Sequence, residues 1–156
     1  MGLIAAVALA SGVAAAGAAP VVPIRVQHVI EHRVPARYAL VPTWMAPGYQ
    51  YRKWSSSSTG LSIWFVKGTV YSVPYREISF GVVKAPCYST KRARRYRFGG
   101  RTVYWSATQE DQMAFACRSG RVVSASESIP GDDRSTPASR RRAYRLARIV
   151  ASAKSL

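Results

Sequence analysis

Two histidines and two cysteines carry the most reactive side chains of this sequence. The histidines stand in "HVIEH", where His28, Glu31 and His32 fit the spacing His-x-x-Glu-His. On a helix that spacing puts two imidazoles on one face, beside a carboxylate able to activate a metal-bound water. The cysteines, Cys87 and Cys117, lie 30 positions apart and outside any Cys-x-x-Cys motif. Two cysteines allow one pairing, so the sequence predicts a structural disulfide Cys87–Cys117 in an oxidising compartment.

The metal motif needs a helix, and its surroundings argue against one. Pro20, Pro23, Pro35, Pro42 and Pro47 punctuate the segment. Val26, Val29 and Ile30 are β-branched, with weak helix propensity. As a strand, His28, Ile30 and His32 share a face and Glu31 points away. Later carboxylates such as Glu77 and Glu110 sit in no ligand motif. Residues 20–46 are therefore expected to be a Pro-rich linker, with no metal and no cofactor.

Ahead of it, residues 1–19 are expected to be a signal peptide or membrane anchor. "GLIAAVALASGVAAAGAAP" is uncharged, and Ala16-Gly17-Ala18 offers a small-x-small cleavage signature. A basic n-region is missing, and the run is long enough for an uncleaved anchor. Either outcome places the rest of the chain outside the cytoplasm, secreted or tethered.

The remaining residues, 47–156, read as one domain. Hydrophobic residues make up 48% of the 156-residue chain, enough for a core. "GYQYRKW", "LSIWFVKG", "TVYSVPY" and "ISFGVV" are strand-like, and "SSSSTG" is a polar connection. "RRYRFGGRTVYWSAT" reads as a hairpin turning at Gly99-Gly100, and "QMAFACRSGRVVSAS" as a second turning at Ser119-Gly120. "IPGDDRSTP" is a loop. After Pro137 the period becomes helical: Ala143, Leu146, Ala147, Val150 and Ala153 form a stripe, with Arg141, Arg145 and Arg148 on the other side. The expected fold is α+β, an antiparallel sheet of five to seven strands with one C-terminal amphipathic helix packed on it.

Charge bears most on function. The net charge is +16, and Arg outnumbers Lys by 18 to 5. Arg binds phosphate and carboxylate as a planar fork. No acidic residue occurs between Ile78 and Gln109. Within that span Lys91, Arg92, Arg94, Arg95, Arg97 and Arg101 surround Tyr96 and Phe98. Together with Arg141, Arg145 and Arg148 they form the candidate polyanion-binding set, with anionic lipid headgroups, wall polymers or an envelope protein as partners. Basic and aromatic residues interleaved on a strand also suit single-stranded nucleic acid, though the export segment argues against it. The plainer alternatives are a charged strand that resists edge pairing and an Arg content set by genome composition.

Catalytic motifs are missing. The sequence has no Gly-x-Ser-x-Gly elbow, P-loop or Gly-x-Gly-x-x-Gly, and Glu110-Asp111 and Asp132-Asp133 sit in apparent turns.

The succession "GYQYRKW", "LSIWFV", "GGRTVYWS", "MAFAC" and a helix ending "LARIVASAKSL" resembles, over residues 47–156, the extracytoplasmic sensor-like domains of some anti-sigma factors. No sigma-binding domain stands ahead of the apolar segment. The resemblance therefore implies a non-catalytic sensing or interaction module rather than a direct sigma-factor binder. An exported, non-catalytic binding or sensing module of the cell envelope is the expected function. An envelope hydrolase with an unmarked site, or a basic nucleic-acid-binding protein, is the alternative.

Overall fold

Two tight hairpins organise the sheet. Gly99 and Gly100 join β5 (Arg94–Phe98) to β6 (Arg101–Ala107), and Ser119-Gly120 joins β7 (Gln112–Arg118) to β8 (Arg121–Ser128). All four turn residues have positive φ, the backbone that matches a two-residue turn to strand twist. The computed structural model describes residues 19–68, 76–107, 112–128 and 140–156. The apolar run up to residue 18, "TVYSVPY", Glu110-Asp111 and the loop "IPGDDRSTP" lie outside the described residues.

Three further strands, β2 (Gln50–Ser57), β3 (Gly60–Lys67) and β4 (Arg76–Lys84), complete the sheet. Its order is β2-β3-β4-β8-β7-β6-β5, antiparallel throughout. The fold is thus α+β with a seven-stranded antiparallel sheet. The serine run read as a connection continues β2 as far as Ser57, and the turn reaches β3 at Gly60. A side chain on Gly60 would meet the Val82 carbonyl oxygen at 2.7 Å, so only glycine fits there.

Residues opposite each other in the ladder share a face. One row runs Ile63, Phe80, Ala125, Ala114, Trp105, and all five are buried. Helix α2 (Arg140–Ala151) lies on this face against β7, β6, β8 and β5. Ala143, Leu146, Ala147 and Val150 of the expected stripe are fully buried on the helix, Ala153 is buried just beyond its end, and Ile149 is buried beside them. Alanines face alanines here: Ala143 and Ala147 on the helix, Ala114, Ala116 and Ala125 on the sheet. Small side chains on both surfaces favour a close approach of helix to sheet.

The segment expected to be a linker is part of this structure. Ile24–Arg33 is a helix, α1, and not extended chain. The prolines bound it rather than break it. Pro23 caps its N-terminus and its carbonyl accepts hydrogen bonds from the Val26 and Gln27 amides. Val34 is already extended, as a residue before proline must be. Between Pro23 and Pro35 there is room for three helical turns. The β-branched penalty is a few tenths of a kcal/mol per residue, about 0.7 at most, and burial of Ile30 outweighs it. Val22, Val34, Tyr38, Ala39, Leu40 and Val41 join the same buried cluster as the sheet.

The chain end is a second departure from expectation. Helix α2 stops at Ala151, and Lys154–Ser155 forms a short strand, β9. It pairs antiparallel with β1 (Leu40–Val41), and the Leu156 amide donates to the Ala39 carbonyl at 3.0 Å. The "linker" and the C-terminus therefore hold each other.

A candidate anion-binding surface

Strand alternation divides the basic segment between two faces. Arg94, Tyr96 and Phe98 point to the helix side of β5; Arg95 and Arg97 point to the other side and are exposed. Lys91 and Arg92 are exposed in the turn before β5, closed by the Ala93 amide donating to Thr90. The nine candidate residues therefore do not form one patch.

Two of them, Arg94 and Arg141, do converge, beside Arg140, which is not among the nine. Arg94 and Tyr96 from β5 meet Arg140, Arg141 and Tyr144 from the first turns of α2, around an open groove of about 600 Å³. Tyr144 packs against Phe98 with ring centroids 5.2 Å apart and edge-on to Tyr96 at 6.1 Å. It nevertheless stays 51% exposed, so this aromatic surface reaches the solvent. Three guanidinium groups and two phenol rings line a shallow, open depression at the free edge of the sheet. That arrangement can pair with negative charge and stack on a flat or apolar group between the charges.

The other arginines of the helix are occupied internally. Arg145 donates to Glu127 Oε2 at 2.6 Å, and Arg142 Nε lies 3.3 Å from the same oxygen. The Glu127 carboxylate is fully buried and also accepts from the Tyr49 hydroxyl. Burial raises the Tyr49 pKa well above its ordinary value, helped by the hydrogen bond to Glu127 and by its charge, while Arg145 and Arg76 oppose the shift. Arg148 stacks over the Trp44 ring, 4.2 Å from its centroid. The segment around Trp44 is held further by Ser152, whose hydroxyl accepts from the Trp44 amide at 3.1 Å while its carbonyl accepts from Thr43. Arg101 lies under the C-terminus of α2 and donates to the carbonyls of Ala151 and Ala153 at 2.5 and 2.8 Å. Arg101, Arg145 and Arg148 are thus fastened to the fold.

The Glu127 network went unforeseen in the sequence. A signal exists in strand parity: Arg121, Val123, Ala125 and Glu127 share the helix-facing side of β8, so an acid at the end of that series must be buried and paired.

The cysteines form the expected disulfide, Cys87–Cys117, with Cα atoms 5.5 Å apart. It fastens the loop after β4 to the sheet face opposite α2. There Tyr88 packs edge-on against the fully buried Phe115, with centroids 5.3 Å apart. On α1, His28 and Glu31 are more than half exposed and 3.8 Å apart, and the His32 ring hydrogen-bonds the His28 carbonyl at 2.8 Å. The helix exists, contrary to expectation. Among the described residues, no three acidic, histidine or cysteine side chains are grouped so as to hold a metal ion. Likewise no helix among the described residues is long and apolar enough to cross a membrane.

No protein-family model matches this chain, and neither a curated protein nor a solved structure is similar to it. The geometry of its own side chains defines the class: an α+β sheet-and-helix domain with an open, arginine- and tyrosine-lined groove.

Proposed function

We propose that the protein is a non-catalytic binding module of the cell envelope that holds an anionic polymer in the groove between β5 and α2. The single observation behind this reading is the convergence of Arg94, Arg140 and Arg141 on an aromatic floor that stays exposed. A groove suits a chain-like partner better than a flat membrane surface. The disulfide and the apolar N-terminal run support an oxidising, extracytoplasmic location. The resemblance of its sequence to anti-sigma sensor domains is what suggests a sensing role for that binding.

The test is fluorescence anisotropy with a labelled poly(glycerol phosphate) chain, at several salt concentrations. Affinity should fall as salt rises, because exposed charges are screened beyond about 8 Å at physiological ionic strength. The double variant Arg94→Gln, Arg141→Gln should bind at least tenfold more weakly, with its fold intact. Binding that ignores both salt and these arginines would overturn the proposal. The tyrosines also favour a second reading, stacking of single-stranded nucleic acid. An oligonucleotide that binds more tightly than the polymer at equal charge would reassign the groove to it.

A further inference from the structure

A second basic cluster lies at the opposite end of α2, and it is built differently. Lys84 of β4 stands directly opposite Arg121 of β8, and Arg121 directly opposite Arg118 of β7. The β6–β7 ladder ends at Tyr104–Phe115, and beyond it Arg101 and Arg118 both reach the Ala153 carbonyl. Four basic side chains thus follow one another across four neighbouring strands on one face. Like charges directly opposite on a sheet oppose folding. Among the described residues, no carboxylate forms an ion pair with any of the three arginines.

The available acceptors do not satisfy this cluster. Arg101 is well bonded, but Arg118 reaches Ala153 only at 3.4 Å. Arg118 Nη2 and Arg121 Nε are buried with no hydrogen-bond partner among the described residues. Buried N–H groups are rarely left so, and charged ones least of all. Burial, then the charges of Arg101 and Arg121, pull the Arg118 guanidinium below its ordinary pKa. Past the end of the β6–β7 ladder a cavity of about 520 Å³ reaches Arg101 and Arg118 from the face that carries the disulfide. Thr90, Thr102 and Tyr104, each carrying a hydroxyl, complete its wall with Ala116 and the disulfide.

We infer that Arg101 and Arg118, with the charge of Arg121 directly opposite Arg118, form a binding site for a phosphate group, free or as an ester, distinct from the groove. A tetrahedral dianion offers several acceptor oxygens to converging guanidinium forks and neutralises the row of like charges. The cavity is large enough for a substituent on the phosphate. The inference does not rest on the groove, which shares none of these residues.

The experiment is calorimetric titration with inorganic phosphate and with glycerol 1-phosphate, against chloride at equal ionic strength. Thermal unfolding of each sample is recorded alongside. Wild-type protein should bind at least one of the two saturably and unfold at higher temperature with it present. The stronger ligand separates a free-phosphate site from a phosphate-ester site. Arg118→Gln should weaken binding at least tenfold, and without ligand its midpoint should equal or exceed that of wild type. A merely structural Arg118 would lower that midpoint instead. Arg121→Gln serves as a second variant with the same expectation, and Lys53→Gln, on β2 at the opposite edge of the sheet, should bind like wild type. The groove variant Arg94→Gln, Arg141→Gln should keep the phosphate site, so failure of one proposal does not carry the other. Absence of saturable binding by wild type, or binding unchanged in both Arg118→Gln and Arg121→Gln, would overturn the inference.

Discussion

The two ends of α2 carry the same residue type under opposite conditions. At its N-terminus Arg140, Arg141 and Arg142 crowd a first turn that has no acidic residue. The helix dipole is positive there, so these charges oppose the helix. At its C-terminus the dipole is negative, and Arg101 donates to the carbonyls of Ala151 and Ala153, which favours the fold. Arg101 thus has a structural reason to be present. Among the described residues nothing gives Arg140 and Arg141 such a reason, and they are the ones that reach the open groove. Opposition to local stability is a sign that a side chain is kept for what it binds.

The sharpest way to break the comparison is to remove the helix from the sheet. Leu146 is fully buried at the middle of α2. Leu146→Ala should cost toward the upper end of about 2–5 kcal/mol, seen as a lower denaturant midpoint, because the alanines around it limit collapse. Both arginine clusters depend on this seating, so weakened polymer and phosphate binding should accompany partial unfolding. A loss of under about 1 kcal/mol would mean that α2 is not what positions them.

The disulfide separates the ends next. It closes a loop across a sequence separation of 30 and holds Thr90 near the C-terminal cluster. Cys87→Ser with Cys117→Ser should cost roughly 3–4 kcal/mol in the chain-entropy model. Phosphate binding should weaken along with it, while the groove, whose residues lie on β5 and α2, should bind its polymer as before in the folded fraction. Calorimetry and anisotropy on the same sample check both. Glu127→Gln acts midway between the ends. It leaves Arg142 and Arg145 facing a neutral amide, at a cost of about 3 kcal/mol in thermal or chemical unfolding. Tyr49 adds a pH dependence to that network. Its folded pKa lies above the ordinary value of about 10, so its stabilising contribution is whole below pH 10 and is lost as pH rises further. Tyr49→Phe should therefore flatten the alkaline limb of a stability–pH curve.

Legibility in the sequence followed the strength of local signals. Gly99-Gly100 and Ser119-Gly120 demand a left-handed backbone, so both hairpins could be read directly. The α2 stripe repeats over three turns and was equally plain. Helix α1 was misread because prolines were counted as breakers, when Pro23 and Pro35 stand at its two boundaries. Strands β1 and β9 have two residues each, too few for any period to show. The polyanion set was legible as composition, yet not as geometry. Alternation on β5 sends Arg95 and Arg97 away from Arg94, and tertiary partners claim Arg101, Arg145 and Arg148. The Arg118–Arg121 opposition was hidden only until the hairpin was paired: counting outward from Ser119-Gly120 places the two face to face.

The smallest predicted effect is the most discriminating, because its sign separates binding from structure. Arg140 and Arg141 are exposed, and their charges lie against the positive end of the helix dipole. Replacing each by Gln removes that repulsion and keeps comparable helix propensity. The doubly substituted protein should gain about 0.3–1 kcal/mol per site at low ionic strength, less as salt is added. The same protein should bind poly(glycerol phosphate) several-fold more weakly, through loss of two of the three groove arginines. Stability rising while affinity falls is the signature of residues retained for a ligand. If stability instead falls, some fold contact holds them, and the contrast between the two ends of the helix disappears. Urea unfolding and anisotropy on one preparation, at two salt concentrations, decide between these outcomes.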